Sequence, residues 1–372
     1  MSRWVRTVPF AADRSDRHIE RWEYRRGASD VRAFEVDVRL GKPLDVVALK
    51  GAGLDTVRDY AAHLAVVTRR LYGHGAPLEQ VVRCPCCEAP LADASVALRV
   101  RDVAYVRCAR CAHVCVAAQP NAAALATLFA ESDEHSAPYV DRAALDVRMA
   151  QIVTPKLDWC LEQYERCSDG VPSSVIDVGA GGGHFVAGAA ARGFAAQGFE
   201  KSRASRAFAA EAFGITLRSD EFAHASMAPA DLVTFWGLLE YIPQPRALIA
   251  AARRALAPNG LLIVEVPRAD ALGTAVQAKP GAVIARHMEP SSHLHAFSDE
   301  SLLIALVEEG FEPVAAWYFG MDAWELLVQA ALRQRDDALV ARLADALPTL
   351  QCALDRGRQC DDIIVAARLA AR

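Results

Sequence analysis

Apolar residues recur along the chain with two different spacings, which predict where strands and helices lie. Apolar and polar positions alternate from Phe34 to Leu40, as they do in a strand with one buried face. From Leu54 to Leu71 the apolar positions have helical spacing, and Gly73 ends that pattern. These two segments predict a small α/β appendage over residues 1–75, in which no motif indicates a role.

Helical spacing returns between residues 121 and 170, and beyond it short apolar runs alternate with helical segments. The runs that predict strands are Val175-Ile176, Ala195–Phe199, Asp231–Trp236, Leu261–Val266 and Val314–Phe319. Strands that alternate with helices predict an α/β fold with a mainly parallel sheet. We therefore expect a helical connector over residues 121–170, followed by an α/β core over residues 171–320.

The last part of the chain has helical patterns over residues 323–347 and 350–372, with Pro348 as a break between them. Residues 321–372 are accordingly predicted to form a helical C-terminal tail. Such a tail could form a small bundle or the contact face of a homodimer.

Glycines follow the first strand of the predicted core in a pattern that indicates a ligand class. Asp177 precedes Gly179, Gly181 and Gly183, so the strand breaks into alternate glycines before a helix. Such glycines let a ligand approach backbone N–H groups. A dinucleotide-binding turn would need its third glycine at the position of His184. Asp177 would repel a pyrophosphate, but it suits a ligand with an ammonium or sulfonium group, such as S-adenosylmethionine.

Two further motifs follow in order. Glu200 ends the second strand, where a carboxylate can accept hydrogen bonds from both hydroxyls of a ribose; NAD would use the same acid. The strand that ends at Trp236 runs into Gly237-Leu238-Leu239-Glu240-Tyr241-Ile242-Pro243. With these motifs, the stretch from Val175 to Pro267 resembles a class I S-adenosylmethionine-dependent methyltransferase, with Tyr241 where that family usually has His.

The resemblance implies a set of cofactor-binding residues. They are Asp177, Gly179, Ala180, Gly181, Gly183, Glu200 and Trp236, with the adenine near Asp220, Glu221 and Phe222 after the third strand. Two alternatives stay open, a tight turn in a generic α/β sheet and a nicotinamide oxidoreductase, and the glycine spacing disfavours the second.

Two Cys-x-x-Cys pairs precede the core. They are Cys84 with Cys87 and Cys108 with Cys111, and the residues between the pairs alternate as short strands do. This spacing predicts a zinc ribbon over residues 76–120, in which four thiolates hold one tetrahedral Zn²⁺. Four protein ligands leave no position for water, so the zinc would be structural. Disulfides are the alternative, but the first ten residues lack the apolar core of a signal peptide, which favours reduced thiols.

Composition limits the kinds of partner. The chain has 372 residues, of which 53% are hydrophobic, and a net charge of −5 without a basic run. This balance is not typical of a nucleic-acid-binding protein, and the apolar stretches are interrupted by charges before they reach membrane-spanning length. We expect a cytoplasmic enzyme with a small-molecule substrate.

The segment after the predicted strand Leu261–Val266 contains His293 and His295. On an extended segment two residues spaced i, i+2 point to one side, and imidazole suits general-base catalysis near neutral pH. The segment therefore predicts a histidine base, with Tyr241 and Glu240 as the second candidate pair of catalytic residues. A zinc-binding pair and packed imidazoles are the alternatives.

The order of ribbon, core and a His-Leu-x-x-Phe-Ser segment is similar to that of bacterial methyltransferases of nucleotide-linked deoxysugars and surface-polysaccharide precursors. In the sugar C-methyltransferases of that group a Glu-His pair precedes Leu, which implies His293 as the base. This chain has Ser292 in place of that Glu and Ala296 in place of an aromatic, and its tail after Phe311 is too short for their second α/β domain. O-methylation of a sugar or another metabolite, and a catalytically silent binding module, stay open.

Overall fold

The structure is a computed structural model that describes residues 2–7, 16–26, 29–42, 44–50, 54–131, 140–168, 170–277, 282–283 and 285–370. The strands of these residues are β1 (Ser2–Thr7), β2 (Arg17–Arg26), β3 (Asp30–Leu40), β4 (Leu78–Gln80), β5 (Ser95–Val100), β6 (Val103–Arg107), β7 (Val114–Val116), β8 (Ala118–Pro120), β9 (Ser174–Val178), β10 (Ala195–Phe199), β11 (Ala230–Trp236), β12 (Leu256–Pro267), β13 (His295–Ala296), β14 (Phe311–Phe319) and β15 (Asp362–Leu369).

Helices cover both faces of the main sheet. They are α1 (Val46–Lys50), α2 (Asp55–Tyr72), α3 (Ala122–Glu131), α4 (Leu145–Arg148), α5 (Thr154–Cys167), α6 (His184–Ala191), α7 (Arg203–Phe213), α8 (Pro245–Ala255), α9 (Leu272–Gln277), α10 (Asp299–Glu308), α11 (Asp322–Gln334), α12 (Leu339–Arg342) and α13 (Leu347–Arg356). A π-helical segment, Met149–Val153, joins α4 to α5. In the described part of the chain, no helix is both long and apolar enough to span a membrane.

A nine-stranded sheet forms the centre, in the order β1-β2-β3-β14-β15-β12-β11-β9-β10. Strands β10, β9, β11 and β12 are parallel, and β15 runs antiparallel between β12 and β14. Neighbouring residues of a strand point to opposite faces, so Val175 packs with α5 and α6 whereas Ile176 packs with α8 and α10. The predicted α/β fold of the class I methyltransferase type is confirmed.

The prediction of a wholly helical tail is wrong for residues 362–369. Helices α11 and α13 lie where helical patterns were expected, but β15 is a strand in the middle of the sheet. Its residues Ile363, Ile364 and Val365 are all buried. A strand that is covered on both faces has a continuous apolar run, which lacks the alternation that distinguishes a strand from a helix in a sequence.

The N-terminal segment contains the predicted strand and helix, but its strands are not a separate appendage. Strand β3 pairs in parallel with β14, with Leu40 opposite Tyr318, so β1, β2 and β3 extend the central sheet. Alternation predicts that a strand exists without predicting its partner, which is why the sequence suggested an independent unit.

The strand expected between β10 and Asp220, which would be the third strand of the core, is reduced to a single bridge between Phe199 and Arg218. Strand β10 is therefore the edge strand on this side of the sheet. The acids Asp220 and Glu221 follow this bridge directly, so they lie beyond the edge strand.

A second sheet joins the cysteine-rich segment to the core, in the order β13-β7-β6-β5. Strand β13 pairs antiparallel with β7, so that His295 lies opposite Cys115. In addition, Ser298 Oγ donates a hydrogen bond to the carbonyl oxygen of Cys111 at 2.7 Å. The segment that carries both candidate histidines is thus held by the cysteine-rich segment.

Candidate cofactor and catalytic site

The loop after β9 has a backbone that only glycine adopts easily. Gly179, Gly181 and Gly183 have φ angles of 74°, 52° and 77°. A Cβ atom on Gly179 would lie 2.8 Å from Leu238 Cδ1, and one on Gly183 would lie 2.8 Å from the Cβ atom of Ala209. The loop, which includes the buried Ala180, therefore forms a close-fitting turn into α6 with exposed N–H groups near its tip.

Glu200 directly follows β10, and its side chain reaches the glycine loop. Its Oε2 accepts a hydrogen bond from the backbone N–H of Gly181 at 2.7 Å, and its Oε1 accepts one from Ser202 at 2.7 Å. Burial raises the pKa of Glu200, while these backbone donors act in the opposite direction. The carboxylate is thus placed where it can accept hydrogen bonds from a ligand that occupies the loop.

Asp177 is the penultimate residue of β9, two positions before Gly179, and is buried. Thr234 Oγ1 donates a hydrogen bond to its Oδ1 at 2.7 Å. Burial raises the pKa of Asp177 to about 7, against the opposing effects of Thr234 and the charge of Lys156. An ammonium group on a ligand would stabilise the ionised form of this carboxyl.

Lys156 and Glu265 form a buried ion pair that the sequence interpretation missed. The ammonium group of Lys156 also lies 4.6 Å from the ring centroid of Trp236, which in turn packs against Phe185 with ring centroids 4.9 Å apart. Among the described residues Trp236 Nε1 has no hydrogen-bond partner. The sequence does contain an indication of this buried charge, because Glu265 is the single charged residue in the apolar run from Leu261 to Val266.

The three residues predicted to lie near the adenine have different environments. Asp220 forms an ion pair with Arg218, and Glu221 forms one with Lys201; both acids are exposed. Phe222 is buried, and its ring centroid lies 5.4 Å from that of Phe199. Phe222 can therefore form an apolar wall beside the end of β10, and the exposed acids would contact only the rim of a ligand.

His293 and Tyr241 lie together, with ring centroids 4.9 Å apart. His293 Nδ1 lies 2.9 Å from Ser292 Oγ, and the side chain is 8% exposed. Tyr105 fixes the backbone there, because its hydroxyl donates a hydrogen bond to the carbonyl oxygen of His293 at 2.7 Å. The structure thus places the two predicted base candidates beside each other.

His295 has a different environment. It is fully buried, its Nε2 lies 2.9 Å from the carbonyl oxygen of Ile242, and its Nδ1 lies 3.3 Å from His113 Nε2. Burial lowers the pKa of His295 to about 4. With both ring nitrogens in contact with protein atoms, His295 links the cysteine-rich segment to the core, and it is not placed to exchange a proton with a substrate.

Glu240 is buried and lies next to Tyr241. Burial raises its pKa to about 8, and in the described part of the chain Oε2 has no hydrogen-bond partner. Its backbone carbonyl accepts a hydrogen bond from the N–H of Leu294 at 2.8 Å, which ties this turn to the histidine segment. At neutral pH the carboxyl group is therefore mostly protonated and can donate a hydrogen bond.

A buried charged cluster adjoins His293 and was not predicted. His287 Nε2 lies 3.0 Å from Asp361 Oδ2, and the His287 ring centroid lies 5.9 Å from that of His293. Ligand atoms of His287, Glu325 and Asp361 lie close enough together to hold a metal. Arg286 already forms ion pairs with both acids, at 2.6 and 2.9 Å, so it offsets part of the negative charge that a metal ion would otherwise balance.

The four predicted zinc ligands come together. The sulfur atoms of Cys84, Cys87, Cys108 and Cys111 all lie within 4.8 Å of one another and are buried. The Cys84–Cys111 and Cys87–Cys108 sulfur distances are 3.5 and 3.6 Å. A disulfide needs about 2.0 Å, whereas ligands at the Zn–S distance of 2.3 Å in a tetrahedron are about 3.8 Å apart. The donor set and its spacing fit Zn²⁺.

The sheet order, the glycine loop and its two buried acids define the fold of a class I S-adenosylmethionine-dependent methyltransferase. The family model described as "Methyltransferase domain" matches residues 155–316, the stretch that contains β9 to β12 and the glycine loop. No curated protein sequence matches the chain.

Solved structures with a similar arrangement are distant in sequence. The chain is similar to magnesium protoporphyrin IX methyltransferase from Synechocystis PCC 6803 with bound SAH, with 14% identity over 68% of this chain and 100% of that chain and a TM-score of 0.45. It is also similar to the plantazolicin methyltransferase BamL in complex with a triazolic desmethylPZN analog and SAH, with 12% identity over 67% and 94% of the chains and a TM-score of 0.44. These likenesses are too distant to add to the family match.

Proposed function

We propose that this chain transfers a methyl group from S-adenosylmethionine to a small metabolite. The observation that supports the proposal most is the glycine loop with Asp177 before it and Glu200 hydrogen-bonded to it, within the part of the chain that matches the methyltransferase family. A bound S-adenosylmethionine would supply a methyl group on a sulfonium, which is ready for in-line displacement.

The protein residues have separate roles in this proposal. Asp177 attracts the ammonium group of the donor, Glu200 accepts hydrogen bonds from ribose hydroxyls, and the N–H groups of the glycine loop approach the ligand. The remaining task is to hold the acceptor in line with the methyl group, which accounts for much of the rate in such a displacement. A base is needed only where the acceptor must lose a proton.

For the acceptor, we propose a nucleotide-linked sugar or a polysaccharide precursor, with His293 as the base. Support comes from the order of the ribbon, core and histidine segment, and from the contact between His293 and Tyr241. In this proposal His293 removes a proton from a sugar hydroxyl or carbon acid, and Tyr241 orients the acceptor. Methylation at carbon and at oxygen are both compatible with this pair.

We also propose one structural Zn²⁺ on Cys84, Cys87, Cys108 and Cys111. Such an ion holds β5, β6 and β7 together, and through β7 it holds β13 and the histidine segment. A cytoplasmic location and a homodimer that uses part of residues 321–372 complete the proposal.

Substitutions in the loop test the cofactor assignment. Gly181→Val is expected to abolish binding of S-adenosylhomocysteine, because a β-branched residue does not adopt a φ of 52° and its side chain would enter the ligand space. Glu200→Ala is expected to weaken binding by about 1.5–3 kcal/mol, roughly ten- to hundredfold, since it removes a charged acceptor. Calorimetric titration measures both effects.

The matched control is Glu211→Ala, which removes an exposed acid on the helix after Glu200 and should leave affinity unchanged. Unchanged affinity in both Gly181→Val and Glu200→Ala would refute the assignment. Binding of NAD by the unmodified chain would instead favour an oxidoreductase. Binding of the cofactor without turnover of any candidate acceptor would favour a silent binding module, whereas turnover of a non-sugar acceptor alone would exclude the sugar assignment.

The affinity for S-adenosylhomocysteine should also depend on pH. Since burial raises the pKa of Asp177 to about 7, the carboxyl is largely neutral below that pH and cannot attract the ligand's ammonium group. Affinity is therefore expected to rise as the pH increases through about 7, and the rise should be absent in Asp177→Asn. Titrations at several pH values measure this, and an identical profile in the variant would contradict the role of Asp177.

A further inference from the structure

A cavity of about 560 Å³ lies beside the central sheet, away from the glycine loop. Its floor is formed by Gly41 and Lys42, which follow β3, and by Gly320 and Met321, which follow β14. Helices α11 and α13 form the opposite side. The volume is typical of a site for a small organic molecule.

The cavity opens at the same edge of the sheet as the glycine loop, because β3, β14 and β12 run in one direction. Asp362 at the start of β15 lies opposite Phe319 at the end of β14 and opposite Pro267 at the end of β12. Strands β15, β12 and β11 separate the cavity from β9, so it is distinct from the cofactor site.

Lys42 lines this cavity with an ammonium group that has no hydrogen-bond acceptor among the described residues. The residue is 7% exposed, and its Nζ lies 4.8 and 5.9 Å from the ring centroids of Phe319 and Trp317. Burying an amine without a polar partner is costly. The contrast with Lys156, which is equally buried and pairs with Glu265, indicates that the acceptor for Lys42 comes from outside the fold.

The carboxyl group of Asp355, which lines the cavity, is already engaged. Asp355 accepts a hydrogen bond from Gln351 Nε2 at 2.8 Å, and the backbone N–H of Lys42 also donates to this carboxyl. Burial raises the pKa of Asp355 to about 7, so it carries only part of a negative charge at neutral pH. It therefore leaves room for an anion beside Lys42.

The remaining walls are mostly apolar. They are formed by Leu44 and Val46 after β3, Ala323 and Trp324 on α11, and Leu347 at the start of α13. Three charged residues, Asp16, Arg17 and Arg39, also line the cavity, and they contact Arg356, Asp37 and the ring of Trp317 respectively. Walls of this kind favour an aliphatic or aromatic body over a hydroxylated one.

We propose that this cavity binds a small monocarboxylate, whose carboxylate accepts a hydrogen bond from Lys42 Nζ and whose apolar body lies between α11 and α13. The ligand supplies the missing acceptor for the amine, and the apolar walls accommodate its apolar body. This site is separate from methyl transfer and does not depend on the proposed activity.

Calorimetric titration with sodium hexanoate, and with hexanol as its uncharged analogue, tests the site. The unmodified chain should bind hexanoate, and Lys42→Met should weaken that binding about tenfold or more while hexanol binding stays the same. The exposed Lys50→Met on α1 is the matched control and should change neither affinity. Ala323→Phe fills the cavity and should remove binding of both probes.

Hexanoate binding should also weaken from about pH 6 to about pH 9, because only the protonated amine pairs with a carboxylate. Burial lowers the pKa of Lys42 to about 7; Lys156 and Arg39 act in the same direction, and Glu265 and Asp362 oppose them. Equal hexanoate affinity in Lys42→Met and the unmodified chain, or no binding at millimolar hexanoate, would overturn the proposal. Titration of each variant with S-adenosylhomocysteine shows that the fold is intact and tests the cofactor site separately.

Discussion

Replacing His293 by alanine is expected to lower turnover by roughly 10²–10⁴-fold while cofactor affinity stays unchanged. The imidazole is placed beside Tyr241 and is held by the backbone contact from Tyr105, so its removal takes away the proposed base without disturbing the glycine loop. Turnover of the unmodified chain should also fall on acidification, because a protonated imidazole cannot accept a proton. Steady-state rates with sugar nucleotides over a range of pH measure both effects.

His295→Ala is the matched control, because it removes an imidazole two residues away from the same segment. Since His295 contacts His113 and the carbonyl of Ile242, this variant should lower the melting temperature and keep the pH dependence of the rate. A normal maximal rate in His293→Ala, with loss of rate in Tyr241→Phe, would transfer the role of base to Tyr241, with Glu240 as the group that orients it.

Replacing Cys87 by serine is expected to unfold the cysteine-rich segment and to abolish turnover. Structural zinc contributes about 10–16 kcal/mol of apparent binding free energy in zinc-finger peptides at pH 7. A small ribbon that loses this contribution is not stable in its folded form. Because β13 pairs with β7, the histidine segment would lose one of its supports. The cofactor loop follows β9 in the central sheet, whereas β5, β6 and β7 belong to the second sheet, so S-adenosylhomocysteine should still bind.

Elemental analysis and circular dichroism measure the effect, with Cys86→Ser as the control. Cys86 is adjacent and fully buried, but its sulfur lies 3.4 Å from His113 Nδ1 and it is not one of the four clustered thiols. Zinc content should therefore fall from one ion per chain in Cys87→Ser and stay at one in Cys86→Ser. Absence of zinc from the unmodified chain would contradict the metal assignment.

The local motifs could be predicted from the sequence because each depends on residues that are close together in the chain. The turn at Gly179, Gly181 and Gly183 requires positive φ angles, which the glycines themselves signal. The spacing within each Cys-x-x-Cys pair already predicts that its two sulfur atoms lie close together, and the four sulfur atoms do cluster in the structure. The order of strands and helices in the core followed from hydrophobic spacing alone.

Long-range partners could not be predicted. Two histidines spaced i, i+2 look equivalent in the sequence. In the structure His293 packs against the ring of Tyr241, whereas His295 contacts the ring of His113, 182 residues away. Likewise His287 and Asp361 are 74 residues apart, and neither carries a local signal of the other. Hydrophobic spacing gives the type of an element, whereas contacts between elements depend on the assembled sheet.

The position of β15 determines when the sheet can be completed. This strand, at residues 362–369, is the only link between the group β1-β2-β3-β14 and the group β12-β11-β9-β10 in the described sheet. During synthesis the chain therefore carries two half-sheets until residues 362–369 have left the ribosome. Each half-sheet exposes one unpaired edge, β14 or β12, and such edges pair readily with other chains. A nascent chain of this protein should accordingly need protection by chaperones until β15 has been made.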